Sequence, residues 1–585
     1  MTLSKDTKIK AVIILLVFIS IVLRIFSIPK SNYDMSFHNV PWYMTLYNNG
    51  IANALGTKFA DYTPPYTYFI ALATFTHDFI PPLTAIKLIP ICFDILGAFL
   101  IYKIVKLKFE EGYQPALAAA IYFTAPSIIL NSAYWGQADS LYTLFLLICL
   151  YFLMTERPFI SILALGLAFS IKFQGAFLGP FLLVMAIRKK IPWWYFGMVP
   201  LIYLIAVSPV VLLGRSLVEV LLIYKTQSTT YPVLAMHAAT IYSLFPREWY
   251  SYVLPVGVIV AITAVLSWVY TTSQNKMKFD HKHIILIAFL SVALVPFVLP
   301  KMHDRYFYPA DVLSIVLAFY WPALWFVPLL YQLVSTCAIS VFLFGADSAF
   351  IVYGFLFNAI AFATVLRTQW LAEKRGAMNQ KVSSVLSWLI TILTPVILFG
   401  IGLNFLLTPA FIRTEYAMPY VSGTASGFNK SERFQRASQT MDYLTNDNKI
   451  KTMENLKFND NTPVFKSHET AMLENAKKVI QKILTVWNLS LALCYILSLF
   501  AWAGDWLPNL RHGMYRGGWL SIGLAVILGI ASLISRVNPV NYFQSGDTFP
   551  LLFPASFWLN SLLFILLALA GSGFLLTRIA TKQQV

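Results

Sequence analysis

Runs of about twenty apolar residues recur from one end of this chain to the other, broken by short polar loops. A helix through each run satisfies its own backbone hydrogen bonds inside hydrocarbon, which open strands and exposed loops do not. The pattern commits the chain to an all-α polytopic membrane protein. Composition agrees: 58% of the 585 residues are apolar and 12% are charged, about half the charge of a soluble domain.

The first run, about residues 11–26, follows Lys5, Lys8 and Lys10 and carries Arg24 near its far end, where the side chain can snorkel. No small-residue cleavage site follows it, so it reads as a retained helix with its N-terminus in the cytosol. Further runs at about 82–104, 117–131, 140–154, 160–170, 176–187 and 193–213 lead on to others, about sixteen spans in all. The shortest imply tilt or the lining of a cavity. Lys and Arg gather in short loops such as 188–190 and 374–381, the positive-inside signal, which leaves the longer polar segments outside. On this reading 1–375 is a transmembrane module with its first outer loop at 29–81. Residues 376–407 cross the membrane again, 408–482 form a small extracytoplasmic polar segment, and 483–585 are C-terminal transmembrane helices. Lys477, Lys478 and Lys482 sit on the outer side of a span, against the rule.

The formal charge of +17 raises nucleic acid as a partner, but its placement between apolar runs points to anionic membrane lipids instead. The four cysteines are isolated in apolar segments and make neither a metal pattern nor a disulfide framework. No G-x-G-x-x-G, P-loop or sizeable cytosolic domain offers a place for a nucleotide-linked donor. A donor already anchored in the membrane fits the layout better.

Ionisable groups at the ends of apolar helices are expensive and mark function. Asp34 follows the first helix. It can serve as a general base, or as the N-cap of a helix over 37–47. In Trp135-Gly136-Gln137-Ala138-Asp139, the Gly permits a tight turn and Asp139 can cap the next helix. Trp135 offers a ring face, and Gln137 and Asp139 can bond sugar hydroxyls. Lys172, with Gln174 beside it, lies between two short helices; it can snorkel or pair with a phosphate. In residues 301–309, Lys-Met-His-Asp-Arg-Tyr-Phe-Tyr-Pro, Arg305 supplies a fork of donors suited to phosphate and His303 one donor more. The alternative there is an Arg305–Asp304 salt bridge among belt aromatics such as Tyr306. Asp94, deep in the second span, lies too far along its helix from Lys87 to pair with it and is expected to bond another helix. Tyr231, His237 and Arg247 read as structural. A lone carboxylate at 139 is not a paired acidic clamp, so a divalent metal is possible but not implied.

Together these segments resemble the GT-C membrane glycosyltransferases, in particular bacterial and archaeal homologues of the mannosyltransferases of glycosyl-phosphatidylinositol and lipid-linked oligosaccharide assembly. The resemblance covers about residues 10–370. It rests on an acidic residue in the first outer loop (Asp34), the Trp-Gly-Gln-x-Asp turn, Ile171-Lys172-Phe173-Gln174, and His303-Asp304-Arg305-Tyr306-Phe307-Tyr308-Pro309. It implies inverting transfer of a hexose, mannose first, from a polyprenyl-phosphate sugar donor to an extracytoplasmic glycolipid, glycan or protein acceptor of the cell envelope. Asp34 would be the base and Trp135, Gln137, Asp139, Lys172, Gln174, His303, Arg305 and Tyr306 the substrate contacts. The setting would be a bacterial or archaeal cell membrane with the site facing outside. A glycolipid flippase or transporter, or a non-enzymatic envelope-assembly protein, would use some of the same features.

Overall fold

A computed structural model describes residues 5–275, 279–376, 378–418, 424–425, 428–445, 450–457, 461–534, 548–553 and 555–581. Residues 276–278 of a basic loop, most of the Gly-Thr-Ala-Ser-Gly stretch at 423–427, and Lys582 lie outside these. Helix accounts for 81% of the structure. Eleven helices among the described residues are long and apolar enough to cross a membrane, or twelve if the pair Gln114–Thr124 and Pro126–Trp135, bent by 50°, is one span. The expected sixteen is not reached on length: Asp139–Met154, Pro158–Ile171, Phe173–Ile187 and Tyr308–Tyr320 are apolar but short.

The chain forms two compact units, Met1–Arg375 and Gly376–Val585. In the first, helix α1 (Lys5–Ser27) leads into a loop carrying α2 (Val40–Asn49) and α3 (Pro64–Thr74), before the long α4 (Pro82–Lys106). Helix α5 (Gln114–Thr124) ends where Pro126 cannot continue its hydrogen bonds. The chain then bends into a π-helical turn, Leu130–Trp135, which closes at Gly136 in the left-handed region (φ 78°). Helices α6 (Asp139–Met154), α7 (Pro158–Ile171) and α8 (Gly179–Ile187) follow, then α9 (Met198–Leu212), α10 (Tyr250–Ser273), α11 (His281–Val298), α12 (Tyr308–Tyr320), α13 (Val327–Phe344) and α14 (Ala349–Ala372). Ala235–Met236 and Met302–His303 pair as a two-residue parallel ladder, tying two loops that are far apart in sequence.

Arg24 does not snorkel. Its side chain is buried; Nη2 pairs with Asp94 Oδ2 at 2.8 Å and Nη1 donates to the Phe123 carbonyl at 2.7 Å. Asp94 also accepts from Ser132 Oγ at 2.6 Å and from Tyr308 Oη at 3.3 Å. Its partners thus come from α1, the π-helical turn and α12. A buried ion pair is stable only when its remaining lone pairs are also satisfied, and this one approaches that condition. Lys87 is buried too, and donates to the carbonyls of Ser27 (3.3 Å) and Lys30 (2.5 Å) where α1 ends.

In the second unit, helices Gln380–Leu406, Leu507–Ile534 and Ala555–Thr581 pack through small residues. A Cβ on Gly517 would lie 2.5 Å from Thr394 Cβ, and one on Gly518 would lie 2.7 Å from the Gly573 carbonyl. The polar stretch after residue 408 forms Pro409–Ala417, Lys430–Thr445 and Lys451–Glu454. Helix Ser467–Ala503 follows, and its first half carries Lys477, Lys478 and Lys482. Ile412, Tyr443 and Leu473 share a core with Phe549, Leu552 and Phe557 from the C-terminal segments.

Candidate active site

The first loop is stapled onto the turn at Gly136. Asn32 Nδ2 donates to the carbonyls of Tyr134 (3.1 Å) and Trp135 (3.2 Å), while its Oδ1 accepts from Met35 N–H at 3.2 Å. Met35, fully buried, covers Gly136 so closely that a Cβ there would meet Met35 Cε at 2.5 Å. Glycine suits position 136 by its positive φ, and any Cβ there would also have to push the end of the Met35 side chain aside. Between the two staples stands Asp34. It begins a short π-helix, Met35–Asn39, but its side chain makes no capping bond. Instead Oδ2 accepts from Trp135 Nε1 at 2.8 Å and Gln137 Nε2 at 2.7 Å, and Oδ1 takes no hydrogen bond among the described residues. Of the two readings open from sequence, the cap is not the one adopted.

Trp135 was expected to offer a ring face to a sugar. It is fully buried: one edge holds Asp34, its face stacks on Phe342 with centroids 5.1 Å apart, and the Arg305 guanidinium lies 4.9 Å from its ring. The indole positions both an anion and a cation. Asp139 is likewise buried, and was expected to bond substrate hydroxyls. Its oxygens are taken by Lys172 Nζ, by Asn131 Nδ2 at 2.9 Å and, at 3.6 Å, by Arg305 Nε. Neither residue lines the cavity described below. Lys172, in extended conformation where α7 ends, points inward rather than to the interface. Its ammonium lies 5.9, 5.7 and 5.8 Å from the rings of Tyr62, Tyr142 and Tyr306. Gln174 is buried nearby, and its Oε1 has no partner among the described residues.

The segment 301–306 is set by the ladder to residues 235–236. Lys301 N–H donates to the Leu234 carbonyl at 2.6 Å and Asp304 N–H to the Met236 carbonyl at 2.9 Å. Lys301 sits at φ 67° with Nζ on the Tyr231 carbonyl (2.8 Å) and Tyr250 Oη (2.9 Å), so its charge anchors the loop. Arg305 approaches Asp304 and Asp139 only at 3.6 Å each, longer than a hydrogen bond. The expected Arg305–Asp304 salt bridge is present but loose, and the guanidinium keeps its donors for something else. Burial opposes its charge, yet Tyr62, Asp304, Asp139 and Asp34 outweigh burial and hold Arg305 more firmly protonated than usual. Burial, with Arg305, Lys172, His237 and Lys301 adding to it, drives His303 well below the ordinary imidazole value, so it is neutral at neutral pH. Asp304 is pushed up to about 7 by burial, with Arg305 pulling the other way and Asp34 and Asp139 reinforcing the rise.

These side chains face a cavity of about 490 Å³, large enough for a sugar-sized ligand. Asp34, Gln137, Lys172, Gln174, His303, Arg305 and Tyr306 all line it. Sequence reasoning missed Asn32 and Tyr62. The Tyr62 hydroxyl reaches Gln137 Oε1 at 3.4 Å, and its ring borders both Trp42 and Lys172. Nothing in the sequence distinguishes either from other loop polar or aromatic residues. His237, read as structural, bridges to His303 and also lines the cavity. Among the described residues no three His, Cys, Asp or Glu side chains are grouped to hold a metal ion.

Residues 61–213, about a quarter of the chain, match the family of dolichyl-phosphate-mannose-protein mannosyltransferases. The chain matches no curated protein. The family match supports a membrane glycosyltransferase of the GT-C type and of mannosyltransferase kind. The matched segment contains Trp135, Gln137, Asp139, Lys172 and Gln174; Asp34, His303, Arg305 and Tyr306 lie outside it.

Proposed function

We propose that this protein is an inverting glycosyltransferase. It moves a hexose, mannose first among the candidates, from a polyprenyl-phosphate-linked donor to a glycolipid, glycan or protein acceptor of the cell envelope. The observation that carries the reading is the pairing of two groups in one cavity. Among the described residues Asp34 has one oxygen fixed by two N–H donors and the other unbonded, and the Arg305 guanidinium makes no hydrogen bond of its own. The first is the form of an oriented general base, the second of an unfilled phosphate seat.

In the reaction Asp34 takes the proton of an acceptor hydroxyl as its oxygen attacks the anomeric carbon. The bond from that carbon to the phosphate oxygen breaks, with its electron pair going to the phosphate. Charge therefore grows on the leaving phosphate, where Arg305 supplies a cation and neutral His303 one N–H donor. Lys172 adds positive potential although Asp139 offsets part of it. Gln137, Gln174 and Tyr306 are the hydrogen-bonding groups left for sugar hydroxyls, while Trp135 and Asp139 act as positioning residues. The site faces outside a bacterial or archaeal cell membrane, where lipid-linked sugars are at hand and nucleotide sugars are not.

The test is incubation of the purified protein with a panel of labelled polyprenyl-phosphate hexoses and cell-envelope extract. Transfer of label to an extract component is expected, with polyprenyl phosphate as co-product. Label retained on the donor for every sugar would overturn the reading.

A further inference from the structure

Helix α7 reaches the Asp34 cavity with Ile171, and α6 and α11 adjoin the Gln137 and His303 segments that line it; the other ends of all three surround a second cavity, of about 680 Å³. They are 14 to 18 residues long, so roughly 20–27 Å of helix separates the two. The floor of the second cavity is apolar, with Leu153, Met154, Met185 and Ile284 buried in it. Its rim is basic, with Lys108, Lys189, Lys190 and Lys282 against Glu156 and Asp280.

The rim cations divide into two kinds. Lys108 Nζ is spent on the carbonyls of Phe319 (2.9 Å) and Tyr320 (3.1 Å) at the end of α12, and Lys282 stacks 3.7 Å from the Trp321 ring. The side chains of Lys189 and Lys190 make no hydrogen bond or ion pair among the described residues and are exposed. Asp280 is occupied by His283, which leaves the rim with surplus positive charge. Lys189 also sits at φ 59°, a left-handed helix end where glycine is the unstrained choice; Glu156 ends α6 in the same way, also at φ 59°. The residues directly after Lys190 include Trp193 and Trp194, both exposed, which mark the level of a membrane–water interface. An apolar floor, a cationic rim and that interface level meet in one place.

We infer that this second cavity seats the phosphate-bearing headgroup of an anionic membrane lipid, on the face opposite the Asp34 cavity. Lys189 and Lys190 hold the phosphate, and the acyl chains leave along the exposed apolar residues Phe159 and Ile187 beside the rim. The inference does not rest on the proposed reaction.

The test compares retention of phosphatidylglycerol and phosphatidylcholine by the full-length protein, measured by native mass spectrometry from mixed micelles. Lys189→Gly/Lys190→Gln removes both charges while giving the left-handed backbone the residue it suits. It should melt no lower than the parent in lipid-free detergent. The parent should favour phosphatidylglycerol, and that preference should fall roughly fivefold for each lysine removed. Lys103→Gln/Lys106→Gln, at the same end of the molecule but outside the cavity, should keep it. Equal losses in the two double variants would reduce the effect to surface charge and overturn the site. So would equal retention of both lipids by the parent, or a stabilisation by inorganic phosphate alone as large as that by phosphatidylglycerol, which would assign the seat to a free anion.

Discussion

Asp34 and Asp94 are carboxylates of the same bundle with opposite surroundings. Asp94 is fully buried and takes Arg24 at 2.8 Å, Ser132 at 2.6 Å and Tyr308 at 3.3 Å, with both oxygens engaged. Asp34 is partly exposed to a cavity; both of its donors are neutral and both fall on one oxygen. A carboxylate with both oxygens engaged by three different segments serves packing. One that is oriented but unspent can accept a proton. The sequence separated them by position, Asp94 deep in a span and Asp34 just past a helix; the structure adds the number and charge of their partners.

The largest effect expected from that contrast is on turnover. Asp34→Asn keeps the shape and can retain the contact with Trp135, but removes the proton acceptor. It should lower kcat by roughly 10²–10⁴ while leaving donor affinity and the melting temperature close to the parent. Asp94→Asn should do the reverse. It leaves Arg24 buried without its counter-charge, a change that destabilises by about 3–5 kcal/mol. The loss should appear as a lowered melting temperature and yield, with turnover of the surviving folded protein much less affected. Thermal unfolding and kcat measured on both variants would break the contrast if Asp34→Asn melted like Asp94→Asn, or if Asp94→Asn lost catalysis at parental stability.

A smaller effect separates donor affinity from either role. Arg305→Ala should weaken a polyprenyl-phosphate donor by about 1.5–3 kcal/mol while leaving the affinity for the bare prenol unchanged. His303→Ala should act in the same direction and more weakly, because a neutral imidazole offers one uncharged donor. Side-by-side affinities for the two ligands decide it, since equal losses would make Arg305 a structural anchor of Trp135 rather than a phosphate ligand.

How much of this was legible in the sequence follows from what each feature depends on. The all-α membrane fold is a matter of apolar run length, which is local and visible. The count of spans was not, because α6, α7, α8 and α12 are too short for length to show whether they cross a membrane. The residues that meet at the site stood out because Asp34, Lys172 and Arg305 are charged at the ends of apolar segments. Their roles did not stand out. The Trp135 indole looked like a sugar platform, and only its burial and its bond to Asp34, 101 residues away, make it a positioning group. Arg24 looked like an interface residue because its partner, Asp94, lies 70 residues further on. Asn32 gives no signal at all, and the ladder of residues 235–236 to 302–303 is too short to leave a periodic pattern.

Asp304 stands between the two carboxylates and sharpens the contrast at the smallest scale. It is buried like Asp94, yet its cation, Arg305, stays at 3.6 Å and its Oδ1 has no hydrogen-bond partner among the described residues. Burial therefore prevails over Arg305, and the carboxyl rises from 3.8 to about 7, with Asp34 and Asp139 adding to the rise. The folded state holds the proton more tightly than the unfolded chain does. The contribution of this group to stability is complete below about pH 4, is lost as pH rises toward 7, and is constant above that. Asp304→Asn reproduces the protonated acid without the titration. Its melting temperature relative to the parent should be nearly independent of pH below 4, should climb between about pH 4 and 7, and should level off above. A difference that stays flat from pH 4 to 8 would mean that Arg305 offsets the burial of Asp304 and holds it ionised. The guanidinium would then not be free to seat a phosphate.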